Sequence, residues 1–219
     1  NLPTEQQIWA TDYELRPVSE GRIDSTLEAR FTEAFVAVFE RQAENDGFNQ
    51  LIVRTPMHWR QAMVLRAYCK YLLQTNSTFS QAYMERVIAA NARIALILWR
   101  LFDAQFDPGL EHPKRKPLLA QLERELTREL DNVKSLDEDR ILRRFAALIR
   151  ATLRTNYYQQ EGGKPKAYLS IKLDPRSIPD LPQPRPAFEI FVYSPRVEGV
   201  HLRMGQVARG GLRWSDRRG

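Results

Sequence analysis

The 219-residue sequence is poor in the residues from which disulfides, metal centres and membrane spans are built. With one cysteine, Cys69, no disulfide can close within the chain, and a reducing compartment suits it. Cys69 sits among Tyr68, Lys70 and Tyr71 in a helical pattern with no histidine close in sequence, so it reads as a half-buried structural thiol rather than a nucleophile. The three histidines, His58, His112 and His201, are far apart, and none stands at a metal-ligand spacing from a carboxylate, so no metal is expected. No apolar run approaches the roughly 18 residues of a bilayer span. The longest, Ile94 to Phe102, is broken by Arg100, and no membrane association is expected. Dinucleotide and phosphate loops (GxGxxG, the P-loop), HExxH and CxxC are all missing.

What is present is a core and a basic excess. Hydrophobic residues at 43% and charged residues at 27% suit one large domain or two small ones. The net charge of +6 raises the question of nucleic acid. Arginines interleave with acids, as in Glu123-Arg124-Glu125 and Asp137-Glu138-Asp139-Arg140, which is the pattern of solvated helix faces, so no nucleic-acid partner is expected. The chain begins at Asn1, and Leu2-Pro3-Thr4-Glu5-Gln6-Gln7 lacks the basic start and apolar stretch of a signal peptide. It reads as a piece of a longer, cytoplasmic protein.

Hydrophobic periodicity divides the chain. Ile8 to Leu15 alternates and predicts a short strand. From Asp24 the period becomes helical: Leu27, Phe31, Ala34, Phe35, Val38 and Phe39 form one face, Ser25 and Glu28 a capping box, and Gly47 the end, with a short second piece over Phe48 to Val53. Thr55-Pro56 predicts the start of a helix bearing Trp59, Ala62, Met63, Cys69, Leu72 and Leu73, ended by Asn76-Ser77-Thr78. Ser80 starts the next, Asn91 breaks it, and Asp107-Pro108-Gly109 ends the apolar face from Ile94 to Phe106. Lys114 to Lys116 reads as a solvated loop, and Pro117 as the start of a long helix. Ser135 and Glu138 form a second box before a helix carrying Ile141 through Leu153, the two helices reading as an antiparallel hairpin. Beyond Asn156 come a loop through Gly162-Gly163, a strand over Tyr168 to Leu173, a proline-rich stretch, and the strongest strand, Phe188 to Tyr193. A hairpin is predicted about Met204-Gly205, between Gly199–Arg203 and Gln206–Ala208. The fold class is α+β, a mainly helical region followed by the first strands of an incomplete α/β domain.

One segment has chemical character. In Arg209-Gly210-Gly211-Leu212-Arg213 the paired glycines leave two backbone N–H groups unshielded, and Arg209 offers a planar fork for a carboxylate. From the chemistry alone, a turn with a solvent-exposed arginine fits equally well.

Longer strings narrow that choice. Phe188-Glu189-Ile190-Phe191-Val192-Tyr193-Ser194-Pro195-Arg196-Val197-Glu198-Gly199-Val200-His201-Leu202-Arg203, continuing into Ala208-Arg209-Gly210-Gly211-Leu212-Arg213-Trp214-Ser215-Asp216-Arg217, closely resembles the entry to the catalytic domain of the large bacterial NAD-specific glutamate dehydrogenases. Ala43 to Asn49, Ser135 to Arg143, Thr152 to Tyr157 and Ser170 to Pro175 also resemble that family, so the likeness runs from about Phe31 onward. It implies oxidative deamination of L-glutamate to 2-oxoglutarate and ammonia with NAD as hydride acceptor, in a homo-oligomer. It implies three parts: residues 1–23 as strand and linker ending an upstream regulatory module, 24–157 as a helical linking region, and 158–219 as the start of the catalytic domain. In the smaller glutamate dehydrogenases a Lys-Gly-Gly segment helps bind the substrate carboxylate. The match puts Arg209 at the lysine, a change of reach and geometry, with Gly210 and Gly211 at the glycines. Arg213 matches a family arginine read as structural, and Gly219 stands where an acidic residue is expected. The catalytic lysine, the acid/base aspartate and the nucleotide-binding domain are implied to lie downstream, so no catalytic or NAD-binding residue is assigned within the chain. The alternative reading is a helical scaffold or assembly module without a catalytic role.

Overall fold

The structure, a computed structural model, describes residues 24–75 and 77–205 and the backbone of 212–215. The strand expected over Ile8 to Leu15 lies outside the described residues, as do Asn76 and the strand expected over Gln206–Ala208. Among the described residues seven helices come first: α1 (Ser25–Phe39), α2 (Gln50–Arg54), α3 (Trp59–Gln74), α4 (Gln81–Ala90), α5 (Ala92–Phe106), α6 (His112–Leu130) and α7 (Leu136–Ala151). Strands follow: β1 (Thr152–Thr155), β2 (Gln160–Glu161), β3 (Lys164–Pro165), β4 (Leu169–Leu173), β5 (Phe188–Tyr193), β6 (Glu198–Arg203) and β7 (Leu212–Ser215). The α+β class holds, with an antiparallel sheet in the order β1-β4-β5-β6-β7 and a separate β2–β3 hairpin.

Helix α3 is the axis. Every residue from Ala62 to Leu72 is buried, so this helix is covered on all sides rather than on one face. Helices α1, α2, α4, α5 and α7 surround it, and the sheet closes the remaining side. The inward rows of the sheet follow its register: Ile171, Phe191 and Val200 pair across β4, β5 and β6, as do Leu169, Tyr193 and Glu198. Their apolar members join the helices in one continuous core. No helix among the described residues is long and apolar enough to cross a membrane.

Several boundaries differ from the sequence reading, each for a local reason. Asp24, not Ser25, caps α1, because Asp24 is extended and its carboxylate accepts from Leu27 N at 2.7 Å. Helix α1 ends at Phe39 rather than Gly47, since Arg41 turns the chain at φ 60°. Its inner face is Ala34 and Ala37, while Phe35 and Phe39, expected inside, are 50% and 81% exposed. Gly47 serves another end: a Cβ there would meet that of Glu85 at 2.9 Å. Thr55 closes α2, its hydroxyl donating to the Leu51 carbonyl at 2.7 Å, and α3 starts at Trp59 behind a His58–Gln61 capping box. Ser80 and Ser135 cap as expected, but the Glu138 carboxylate accepts from Asn91, so the second box is half formed. Leu153, expected on the face of α7, lies in β1: the Thr152 hydroxyl donates to the Leu148 carbonyl, Tyr68 hydrogen-bonds to it, and the chain passes straight into the sheet. The Gly162-Gly163 loop closes the β2–β3 hairpin with φ of 59° and 75°.

The basic run Lys114–Lys116 is helical, not a loop, and Pro117 falls inside α6. Arg115 explains the early start. Its guanidinium donates to the carbonyls of Ala104, Gln105, Asp107 and Leu110 at 2.6–3.1 Å, satisfying the C-terminal end of α5. Helix α6 meets α7 through the Arg150–Glu123 pair but packs chiefly along α5. Arg115→Met leaves those carbonyls without this donor and is expected to lower stability by about 1–3 kcal/mol. Urea unfolding checks this, with the exposed Arg124→Met as control. Equal midpoints for the two variants would show that Arg115 is dispensable.

Candidate functional site

Buried polar groups of α3 meet partners on the 44–49 segment, on α4 and on the sheet. Arg66 and Lys70, one turn apart on α3, are both buried, which requires partners at close range. Arg66 holds Asp46 with two hydrogen bonds, Nε to Oδ2 at 2.6 Å and Nη2 to Oδ1 at 2.8 Å. It also donates to Asn49 Oδ1 at 2.8 Å and to the Glu44 carbonyl at 3.4 Å. Burial disfavours its charge, but the hydrogen bond and charge of Asp46 outweigh that and hold the guanidinium above its ordinary value. Lys70 Nζ pairs with Glu44 Oε2 at 3.2 Å and donates to Gln81 Oε1 at 2.7 Å. Gln81 continues to Glu85, whose other oxygen accepts from Gly47 N at 3.1 Å.

The sheet joins the same network. Glu189 and Glu198, on inward positions of β5 and β6, are only 2% and 3% exposed. The Tyr71 hydroxyl donates to Glu189 Oε2 at 2.6 Å, and Gln74 Nε2 donates to Glu198 Oε1 at 3.2 Å. Tyr193, also on β5, donates to Glu44 Oε1 at 2.7 Å. Cys69 is buried among these side chains, fully rather than by half, and burial pushes its thiol well above the usual range. That accords with a structural role.

A second cluster holds the loop after β1. Tyr157 packs against Trp99 and Phe102, with the Arg60 guanidinium 5.3 Å from its ring centroid. Arg60 donates to the carbonyls of Lys166 and Tyr157, and Tyr158 donates to Asp103. Burial, opposed by Arg60, pushes the Tyr157 phenol up to about 12.

Arg209, Gly210 and Gly211 lie outside the described residues. Their flanks are described: β6 and β7 pair antiparallel, with His201 opposite Leu212. His58 caps α3, His112 begins α6 and His201 lies in β6, and no group of three or more His, Cys, Asp or Glu among the described residues is placed to hold a metal. The sequence reading missed Arg66, Lys70, Glu189 and Glu198. The available signal was charge inside otherwise apolar runs, at i,i+4 on α3 and on the inward alternation of β5 and β6.

Two outcomes follow from this geometry. Asp46→Asn, which leaves the Arg66 charge buried without its carboxylate, is expected to destabilise the fold by about 3–5 kcal/mol. Combining Asp46→Leu with Arg66→Met is expected to cost much less than the sum of the single changes, and strict additivity in denaturant unfolding would disprove the coupling. Buried tyrosines set the alkaline limit. Tyr157 is raised from 10.0 to about 12, and burial also raises Tyr68 and Tyr158. A raised folded-state value contributes stability that is present below the ordinary tyrosine value and lost as pH climbs through the folded one. Melting temperature is therefore expected to fall between pH 10 and about 12, in step with phenolate absorbance. A flat profile across that window would contradict it.

Comparison with known proteins places this arrangement. The family described as bacterial NAD-glutamate dehydrogenase, catalytic domain, matches residues 125–219, and glutamate dehydrogenase, helical motif 3, matches residues 43–108. The polar network joins the two ranges, with Glu44, Asp46, Arg66, Lys70 and Tyr71 in one and Glu189, Tyr193 and Glu198 in the other. The NAD-specific glutamate dehydrogenase of Halomonas elongata is 44% identical over 98% of this chain, and that of Pseudomonas aeruginosa 45% over 97%. That of Mycobacterium tuberculosis is 47% identical over 86%. The chain spans only 12–13% of the length of these curated relatives. Over the stretch it spans, the chain is similar to the bacterial NAD-specific glutamate dehydrogenases.

Proposed function

We propose that this stretch serves an enzyme that converts L-glutamate, NAD and water to 2-oxoglutarate, ammonia and NADH, in the cytoplasm. The observation that carries the reading is the 44–47% identity to NAD-specific glutamate dehydrogenases, which extends through the helical and sheet regions alike. On this reading the helical region upstream of residue 158 links regulatory parts to the strands of the catalytic domain, whose family match itself reaches back to residue 125. Arg209, Gly210 and Gly211 form one wall of the glutamate pocket, Arg209 as the carboxylate fork and the glycines as bare backbone donors.

The dinucleotide is assigned to other parts of the protein. The described five-stranded sheet is antiparallel throughout and does not fit NAD, which calls for a parallel β–α–β unit with a glycine-rich turn under the pyrophosphate. The 219-residue chain alone is accordingly expected to be inactive.

The test has two arms. The full-length enzyme is expected to form NADH from glutamate, and Arg209→Ala to raise the glutamate KM by about 10- to 100-fold, the range for losing a charge-assisted contact. The purified 219-residue chain is expected to form no NADH. Turnover by that chain alone, or a full-length protein that does not oxidise glutamate, overturns the reading.

A further inference from the structure

A cleft of about 390 Å³ opens where the loop before α4, the first turns of α7 and the connection from β4 to β5 meet. Thr78 and Phe79 of the loop, Arg140, Arg143 and Arg144 of α7, and Asp180 of the connection line it. Its size is that of a small-molecule site. Arg144 and Asp180 also border a narrower recess lined by Leu72, Leu148 and Ile178, so a cationic mouth adjoins an apolar pocket.

Three arginines against one aspartate leave the lining of the cleft with an excess of positive charge. The three are not equally engaged. Arg143 is committed to Asp139, with Nε at 2.8 Å from both carboxylate oxygens. Arg140 approaches Asp137 only at 3.6 Å, beyond hydrogen-bond range. Arg144 meets one acceptor among the described residues, Asp180 Oδ2 at 3.4 Å, and the Asp180 side chain is 74% exposed. Most donors of Arg140 and Arg144 are therefore open to an incoming anion. Asp180 stands in the left-handed region at φ 58°, which aspartate adopts more readily than most residues. Its carboxylate marks an acceptor position in front of Arg144 that a ligand could take.

The chemistry narrows the ligand. Arg140 and Arg144 are one turn apart on the same face of α7. One guanidinium fork saturates a carboxylate, whereas a phosphate has oxygens for two forks and carries a charge near −2 at neutral pH. Phe79, half-buried beside them, offers apolar surface to whatever the phosphate is attached to.

We propose that this cleft binds a small organic phosphate, with the phosphate held by Arg140 and Arg144 and the body against Phe79. Asp180 competes with it for Arg144. Thr78 and Phe79 belong to the range matched by the helical motif and the arginines to the range matched by the catalytic domain, so the bound molecule ties the two together.

The experiment titrates the full-length enzyme by calorimetry in saturating NAD, so that a nucleotide probe does not register at the dinucleotide site. The probes are adenosine monophosphate, inorganic phosphate and succinate. The nucleotide is expected to bind more tightly than phosphate, and both more tightly than succinate. Arg140→Gln combined with Arg144→Gln is expected to weaken the nucleotide at least about tenfold, with melting temperature and the NAD KM unchanged. Phe79→Ala is expected to weaken the nucleotide but not inorganic phosphate. Asp180→Asn removes the competing carboxylate and is expected to tighten both by about threefold, a gain that loss of stability cannot imitate. Absence of saturable nucleotide and phosphate binding, or binding indifferent to the arginine pair and to Asp180→Asn, overturns the site. Succinate binding as tightly as phosphate overturns the ligand class.

Discussion

The architecture turns on the burial of one guanidinium. Arg66 sits in the middle of a helix with no exposed face, so its charge has to be met by acceptors brought from elsewhere in the chain. The segment from Glu44 to Asn49 provides them, with the Asp46 carboxylate, the Asn49 amide oxygen and the Glu44 carbonyl all turned toward the same group. That wrapping dictates the path between α1 and α2. It brings Gly47 against Glu85 at a separation that a larger residue would not permit, and it leaves the Glu44 carboxylate free to face Lys70 and Tyr193. Once α3 is seated in this way, the remaining helices and the sheet have one axis to cover.

Helices and sheet consequently do not behave as two separate bodies. Their apolar residues form one core, and their polar residues form one network that crosses from α4 through α3 to β5 and β6. The network spans the ranges matched by two different family descriptions. The ranges matched by the helical motif and by the catalytic domain are thus joined by buried polar contacts. Apolar packing supplies the bulk of the cohesion, while the directional carboxylate contacts select one placement among many of similar burial.

Much of the fold was legible where local physics decides. The period-two runs of β4 and β5, the serine caps of α4 and α7, and the break at Asn91 appear where the residues ask for them. The departures have a common cause, in that a distant partner overrode a local preference. Lys114 to Lys116 look like a solvated loop until the carbonyls at the end of α5 claim Arg115. Leu153 continues a helical apolar face, but Thr152 finds Tyr68 and the backbone finds β4, and the chain leaves the helix. The candidate site divides the same way. Arg209-Gly210-Gly211 is a contiguous string and stands out in the sequence, whereas Tyr71 and Glu189 are 118 residues apart and carry no joint signature.

The sequence by itself carried the family resemblance, the α+β class and the order of most elements, and it singled out one segment as a candidate carboxylate site. These depend on neighbouring residues: periodicity, capping groups and strings that read in a single line. Only the tertiary structure decided that α3 is central, that its Arg66 and Lys70 are buried and satisfied, and that a helix hydroxyl grips a strand carboxylate. Burial and pairing are properties of groups brought together across long stretches of chain, and a charge in an apolar run has no meaning until its partner is in place.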